Sequence, residues 1–324
     1  MILLIDKNYE IFMRLRKYYE KYCAPLVFYG EQKLENNGFC KMYFLDTTSE
    51  KELKNYKKVF QEYLFLYVRN YDTLSKFDNL ECEYDETKIS NALYLNGKKI
   101  WDDGSLIITS NPVTLGIYGE LFDEFYLNIV KKENILLTYS TKNSFNTRNI
   151  KGCDTIGAIW ENDNLTLILS ECKFYTDITN ASNSLIDDIL GTEKEKSHVT
   201  KEYINRYLNF VADKPHSIFS NNDDNKKIIS MYEKINHDIL NAQNGVTSID
   251  ILNKYKVKIR FDFFSIYCDD IYTPMEREQY YKNIISAFNK QIIDTGIENY
   301  SMEIIFIPTK NKSTEVKRSM YTWN

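Results

Sequence analysis

Apolar residues return along this chain with two periods. In residues 8–22, 49–71 and 112–132 they recur every three or four positions, the spacing that gathers a stripe along one side of an α-helix. The third stretch is the most apolar. Ile117, Leu121, Phe125 and Ile129 share one face, and Tyr118, Phe122, Tyr126 and Val130 widen it, so the helix calls for burial. Ser49 precedes Glu52 by three residues, the spacing of a capping box. Further helices are predicted around 178–190, 198–212 and 226–240. Residues 273–296 carry their own punctuation: Thr273 and Glu276 have capping-box spacing, Pro274 takes the first helical position, and Gly296 closes the element.

Period-two patterns predict strands at 256–267 and 300–308. With the helix between them they imply a right-handed parallel crossover. Residues 93–101 read as a hairpin around Asn96 and Gly97, and residues 151–175 as a second around 161–164. Together these predict an α/β fold, a mixed sheet flanked by helices. A break near 101–105 separates an N-terminal region of mixed, partly helical structure, 1–105, assigned to packing or partner contact, from a domain over 106–324. The Asp-, Asn- and Lys-rich stretch 220–227 is a loop within that domain.

The second hairpin, KGCDTIGAIWENDNLTLILSECKFY, holds ionisable residues in apolar surroundings. Side chains alternate faces along a strand, so Leu165, Leu167, Leu169, Glu171 and Lys173 share one face. Asp154, Ile156, Ala158 and Trp160 share a face of the first arm. A symmetric turn at 161–164 pairs Trp160 with Leu165 and, followed inward, sets Asp154 opposite Glu171. Opposed residues have Cβ atoms roughly 4.5–5.5 Å apart, where two carboxylates repel. A divalent cation turns that repulsion into binding, and Mg²⁺ is usually held by one or two carboxylates. Lys173 follows on the same face, roughly 6.5–7 Å from Glu171 by strand rise, within reach of a water or a phosphate oxygen. At a solvated strand end the same residues make an ordinary ion pair worth about a few tenths of a kcal/mol. Both readings stand at this point, and the leucines on the shared face favour the site.

Composition narrows the classes. The formal net charge of −5 gives no global signature of a nucleic-acid binder, so such an activity needs a local basic patch. Residues 131–151 supply one: Lys131, Lys132, Lys142, Arg148 and Lys151 against Glu133 alone, leading straight to Asp154. His198 and Lys201, on the helix expected from 198, are weaker candidates for backbone contact. Six cysteines without a CxxC pair, and three histidines, argue against a zinc ribbon or finger. Scattered cysteines with no secretory core at the start point to a reducing, cytoplasmic setting. No apolar run approaches the ~20 residues of a membrane span. There is no Walker A pattern, so ATP-driven work belongs to another chain.

A helix with a glutamate, a hairpin with an aspartate and then ExK, and a following helix together resemble the PD-(D/E)xK nuclease superfamily. More specifically, GELF (119–122), KGCDTIGAIW (151–160), SECKFY (170–175) and the helix entered at Ala181 are similar to the HamA family, nuclease subunits of the Hachiman anti-phage system. The resemblance is best over residues 112–190. It implies a restriction-endonuclease-like α/β fold and metal-dependent hydrolysis of DNA. Asp154 and Glu171 would be metal ligands, joined by Glu120 from the preceding helix, and Lys173 the catalytic lysine. The cofactor would be Mg²⁺ or Mn²⁺, and the partner the helicase HamB. Lys142, Arg148 and Lys151 would then approach the DNA backbone. Cys153 stands where the superfamily's nominal proline lies, a variable position, and Cys172 points to the face opposite Glu171. Two other functions remain: a non-catalytic DNA-binding or scaffold subunit that kept the fold, and a sequence-specific endonuclease working alone. The intact Asp154, Glu171 and Lys173 weigh against the first.

Overall fold

A computed structural model of the protein describes residues 13, 15–23, 25–46, 48–68, 119, 122–138, 154–193, 197–200, 204–205, 223–268, 274–292 and 299–309. Among them a seven-stranded sheet has the order β1-β2-β7-β6-β5-β4-β3. The strands are β1 (Leu26–Lys33), β2 (Phe39–Leu45), β3 (Asn134–Thr138), β4 (Thr155–Glu161), β5 (Asn164–Tyr175), β6 (Lys258–Cys268) and β7 (Tyr300–Thr309). Strands β5, β6, β7 and β2 run parallel at the centre, and antiparallel hairpins close both sides. The mixed sheet expected from the sequence is therefore present, as is the parallel pair β6–β7 around its helix.

The helices are α1 (15–22), α2 (Glu50–Val68), α3 (described at 119 and 122–130), α4 (Ile178–Leu190), α5 (Asp223–Leu240), α6 (Ser248–Lys254) and α7 (Pro274–Ile292). Ser49 Oγ accepts the Glu52 N–H at 3.4 Å, the cap its spacing predicts. α3 widens at its end into a π turn over Tyr126–Val130, where Lys131 N–H reaches the Tyr126 carbonyl. Of the helix expected around 198–212, the described residues 204 and 205 are helical; they are preceded by a turn at 198–200, where Ser197 and His198 bond back to the last carbonyls of α4. The hairpin around 96–97 and the break near 105 lie outside the described residues. The hairpin β1–β2, strand β3 and the short α6 were not legible in the pattern of the chain.

Both faces of the sheet are buried, which is why its central strands read as nearly continuous apolar runs. One face carries Leu165, Leu167, Leu169, Phe261, Phe263, Met302 and Ile304, covered by Leu185 and Ile189 of α4 and Ile284 and Phe288 of α7. The other carries Ile168, Cys172, Phe174, Phe264 and Ile305 beneath an aromatic layer from α1, α2 and α3. Phe60 and Phe122 rings lie 4.3 Å apart in that layer, and Tyr126 meets Phe264 at 5.6 Å. Of the broad apolar surface predicted for 112–132, the described Phe122, Phe125, Tyr126 and Ile129 are buried and Val130 partly so; Ile117, Tyr118 and Leu121 lie outside the described residues. α3 packs on β5 at its first described residue. A Cβ on Gly119 would stand 3.4 Å from Cys172 Sγ and 3.5 Å from Phe174 Cβ.

Candidate active site

The β4–β5 hairpin turns on Asn162 and Asp163, both at positive φ (49° and 59°), the backbone of a two-residue type I′ turn. That turn sets the register expected from the sequence: Trp160 pairs with Leu165, and the ladder continues to Thr155 and Ser170. One residue further the ladder ends. The Asp154 N–H donates to the Ser170 carbonyl at 2.9 Å, and the Asp154 carboxylate accepts the Cys172 N–H at 2.7 Å. Asp154 therefore does not face Glu171 as a regular cross-strand pair. Its side chain takes an N–H of β5 that a continuing strand would have bonded with its backbone, and this pins the carboxylate at the peptide N–H that follows Glu171.

Glu171 and Lys173 lie on the α4 face of β5. Glu171 is 6% exposed, and its Oε1 accepts from Lys173 Nζ at 3.0 Å. Two residues that the sequence reading had not joined to the site complete the cluster. Lys173 Nζ lies 2.6 Å from Asp188 Oδ2, and His198 Nδ1 lies 3.5 Å from Glu171 Oε2. One ligand-capable atom from each of Glu171, Asp188 and His198 falls within 4.8 Å of the others.

Helix α4 explains how Asp188 arrives there. Asp177 caps the helix, its Oδ1 accepting the Asn180 N–H at 2.7 Å. Ala181, Leu185 and Ile189 form the buried stripe, and Asp188 follows Leu185 by three positions on its edge. An acid at a helical position that an apolar stripe would fill is the signal available in the sequence. The Asp188 carbonyl then accepts the His198 N–H at 2.7 Å, which fixes the chain that carries the imidazole.

The electrostatics of the cluster follow from burial against pairing. Burial alone raises the Glu171 carboxyl, but Lys173 and His198 overcome it and hold the group down at about 2. Burial lowers the Lys173 ammonium, and Glu171, Asp188 and Asp154 outweigh it, so the group stays charged well above its usual range. Asp188 is pushed up to about 6, by burial first and by the Glu171 charge second. His198 is raised against burial by its contact with Glu171. Among the described residues this is the one group of three or more side chains placed to share a cation.

Behind β5, on the aromatic face, Ser170 Oγ donates to the fully buried Asp123 of α3 at 2.5 Å. Burial raises the Asp123 carboxyl well above its usual range. Cys172 is buried in the same layer, and burial pushes its thiol well up, so it is packed rather than reactive. Glu120, Lys142, Arg148 and Lys151 lie outside the described residues. Of the basic stretch, Lys131 pairs with Glu303 and sits 4.3 Å over the Tyr43 ring, and Lys132 pairs with Glu20.

A second ionic cluster occupies the aromatic face. Arg260 binds Asp262 through two bonds of 2.7 Å and Glu133 at 2.6 Å, all three side chains buried. Each charge there has a partner, as burial requires. It is a structural network on the far side of the sheet from Glu171.

A mixed sheet with helices on both faces, carrying an aspartate at a strand entry and Glu-x-Lys on the next strand, defines a restriction-endonuclease-like α/β protein. Comparison with protein-family models matches HamA over residues 23–322, nearly the whole chain, and the protein belongs to the HamA family. That places it in the Hachiman anti-phage defence system. A search of curated proteins found no match. Among the described residues no helix is long and apolar enough to cross a membrane.

Proposed function

We propose that this protein is a metal-dependent DNA nuclease that hydrolyses phosphodiester bonds in the cytoplasm during anti-phage defence, in partnership with the helicase HamB. The observation that carries the reading is the buried Glu171 bonded to the partly buried Lys173 on one face of β5, with the Asp154 carboxylate held at the Cys172 N–H between them in sequence. A solvated ion pair at a strand end would not be buried, and here Glu171 is.

The side chains fit a divalent cation. Glu171 Oε2 is buried and makes no hydrogen bond of standard geometry, and ionised carboxylates supply the hard oxygen ligands that Mg²⁺ and Mn²⁺ take. Asp154 and Glu171 would hold the ion, with Glu120 of α3 as the third acid. A divalent ion bound there supplies charge to polarise the scissile phosphate and to acidify the attacking water. Lys173 orients that water or neutralises charge growing on the phosphate. Lys142, Arg148 and Lys151 would track the DNA backbone on the approach to Asp154.

The test is cleavage of linear DNA by the full chain, alone and with its helicase partner, in Mg²⁺ or Mn²⁺. Cleavage that stops with EDTA and is abolished by Lys173→Ala supports the reading. DNA binding without cleavage under every condition would leave a non-catalytic subunit that kept the fold.

A further inference from the structure

We propose that Asp188 is the positioning residue of Lys173: it is the principal hold on the ammonium, and the one that remains when Glu171 is engaged elsewhere. Lys173 Nζ has two carboxylate partners, Glu171 Oε1 at 3.0 Å and Asp188 Oδ2 at 2.6 Å. The shorter contact is the one to Asp188. The Lys173 side chain is 20% exposed and that of Asp188 11%, so the pair is largely shielded from water. Lysine is a point charge on a flexible stem and takes its position from its partners.

The two carboxylates do different work. In the proposed site Glu171 faces two cations. A divalent ion sharing that carboxylate draws charge from it and repels the ammonium, so the hold of Glu171 on Lys173 weakens when the site is loaded. Asp188 comes from α4, a separate element, and keeps its grip. Its carbonyl also fixes the His198 N–H, so one helical residue sets both groups that touch Glu171. Without the Asp188 carboxylate, Lys173 can swing toward solvent. With it, the ammonium stays within reach of the water or phosphate it serves.

The role of Lys173 in cleavage rests on the nuclease reading; the hold of Asp188 on Lys173 does not. The experiment therefore has two arms. Asp188→Asn keeps the size and the backbone carbonyl and removes the charge. In metal-free protein, acetylation of Lys173 followed by mass spectrometry should run about tenfold faster in Asp188→Asn than in the parent, other lysines being unchanged. In the cleavage arm, Asp188→Asn should lower the rate at saturating Mg²⁺ by about tenfold or more, shift the half-saturating Mg²⁺ by less than about threefold, and leave Tm within about 2 °C. Asp188→Glu should restore part of the rate. An unchanged Lys173 acetylation rate overturns the proposal. A rise of about tenfold in half-saturating Mg²⁺ also overturns it, making Asp188 a ligand of the ion instead. If the parent cleaves nothing, the nuclease reading fails, and the acetylation arm alone decides whether Asp188 positions Lys173.

Discussion

The carboxylate of Asp154 accepts the backbone N–H of Cys172 at 2.7 Å, so an acid side chain ends the β4–β5 ladder. A hydrogen bond to a charged acceptor contributes about 1.5–3 kcal/mol, against about 1 kcal/mol for a neutral one. Asp154→Asn keeps an oxygen that can accept, and the metal-free variant should lose about 1 kcal/mol. Asp154→Ala should lose more, because the N–H is left without its partner. With Mg²⁺ the gap between parent and both variants should widen, since the parent gains RT ln(1 + [L]/Kd). Thermal melts with and without Mg²⁺ check this, and a gap that Mg²⁺ does not change removes Asp154 from the metal site.

Lys173 competes with any cation for Glu171. Lys173→Ala leaves two carboxylates facing each other across a shielded gap, so the metal-free variant should be less stable by about 1–3 kcal/mol. Mg²⁺ should raise its Tm by more than it raises the parent's, while DNA cleavage is lost. Retained cleavage would take the catalytic role from Lys173.

Glu120→Gln should weaken Mg²⁺ binding several-fold and leave the metal-free Tm where it is. Isothermal titration with Mn²⁺ provides the measurement. Unchanged affinity would take Glu120 out of the ligand set.

Glu133 gives a pH test away from the site. Burial, partly offset by Arg260, pushes its carboxyl from 4.5 up to about 7. The folded state therefore holds this proton more tightly than the unfolded chain. The resulting stabilisation is complete below pH 4.5 and is lost as pH rises through 7. Glu133→Gln should remove that component, so denaturant melts across this range should show the parent falling more steeply than the variant. Equal slopes would show that Glu133 ionises alike in both states.

The N-terminal region, 1–105, is proposed to carry the contact with the helicase, and two side chains of its edge strand support that. Phe28 is 53% exposed and Tyr29 42%, on a strand that has a neighbour on one side only among the described residues. Removing the whole region is the wrong test, because β2 pairs in parallel with β7 at the heart of the sheet. Phe28→Ser with Tyr29→Ser should instead weaken co-purification with the helicase by about tenfold or more and leave the far-UV spectrum unchanged. Undiminished binding would move the contact elsewhere.

The sequence by itself determined what nearest neighbours decide. The turn residues Asn162 and Asp163 and the alternation on both arms specify the β4–β5 register, and with it the common face of Glu171 and Lys173. The buried side of α3 and the helix opening at Pro274 between β6 and β7 were readable for the same reason: period and first-turn signals act within a few residues. Tertiary structure decided the rest. Nothing local in Phe39–Leu45 says that it will lie beside Tyr300–Thr309, since parallel pairing is chosen by which apolar faces the whole chain must bury together. Asp188 looked like an ordinary surface residue, and His198 like a weak candidate for backbone contact, until the packing of α4 on β5 brought them to Lys173 and Glu171. Asp154 was legible as an acid opposite β5, but its capture of the Cys172 N–H was not. A strand pattern gives the direction of a side chain, and only the end of the ladder shows which backbone donor is left for it to bind.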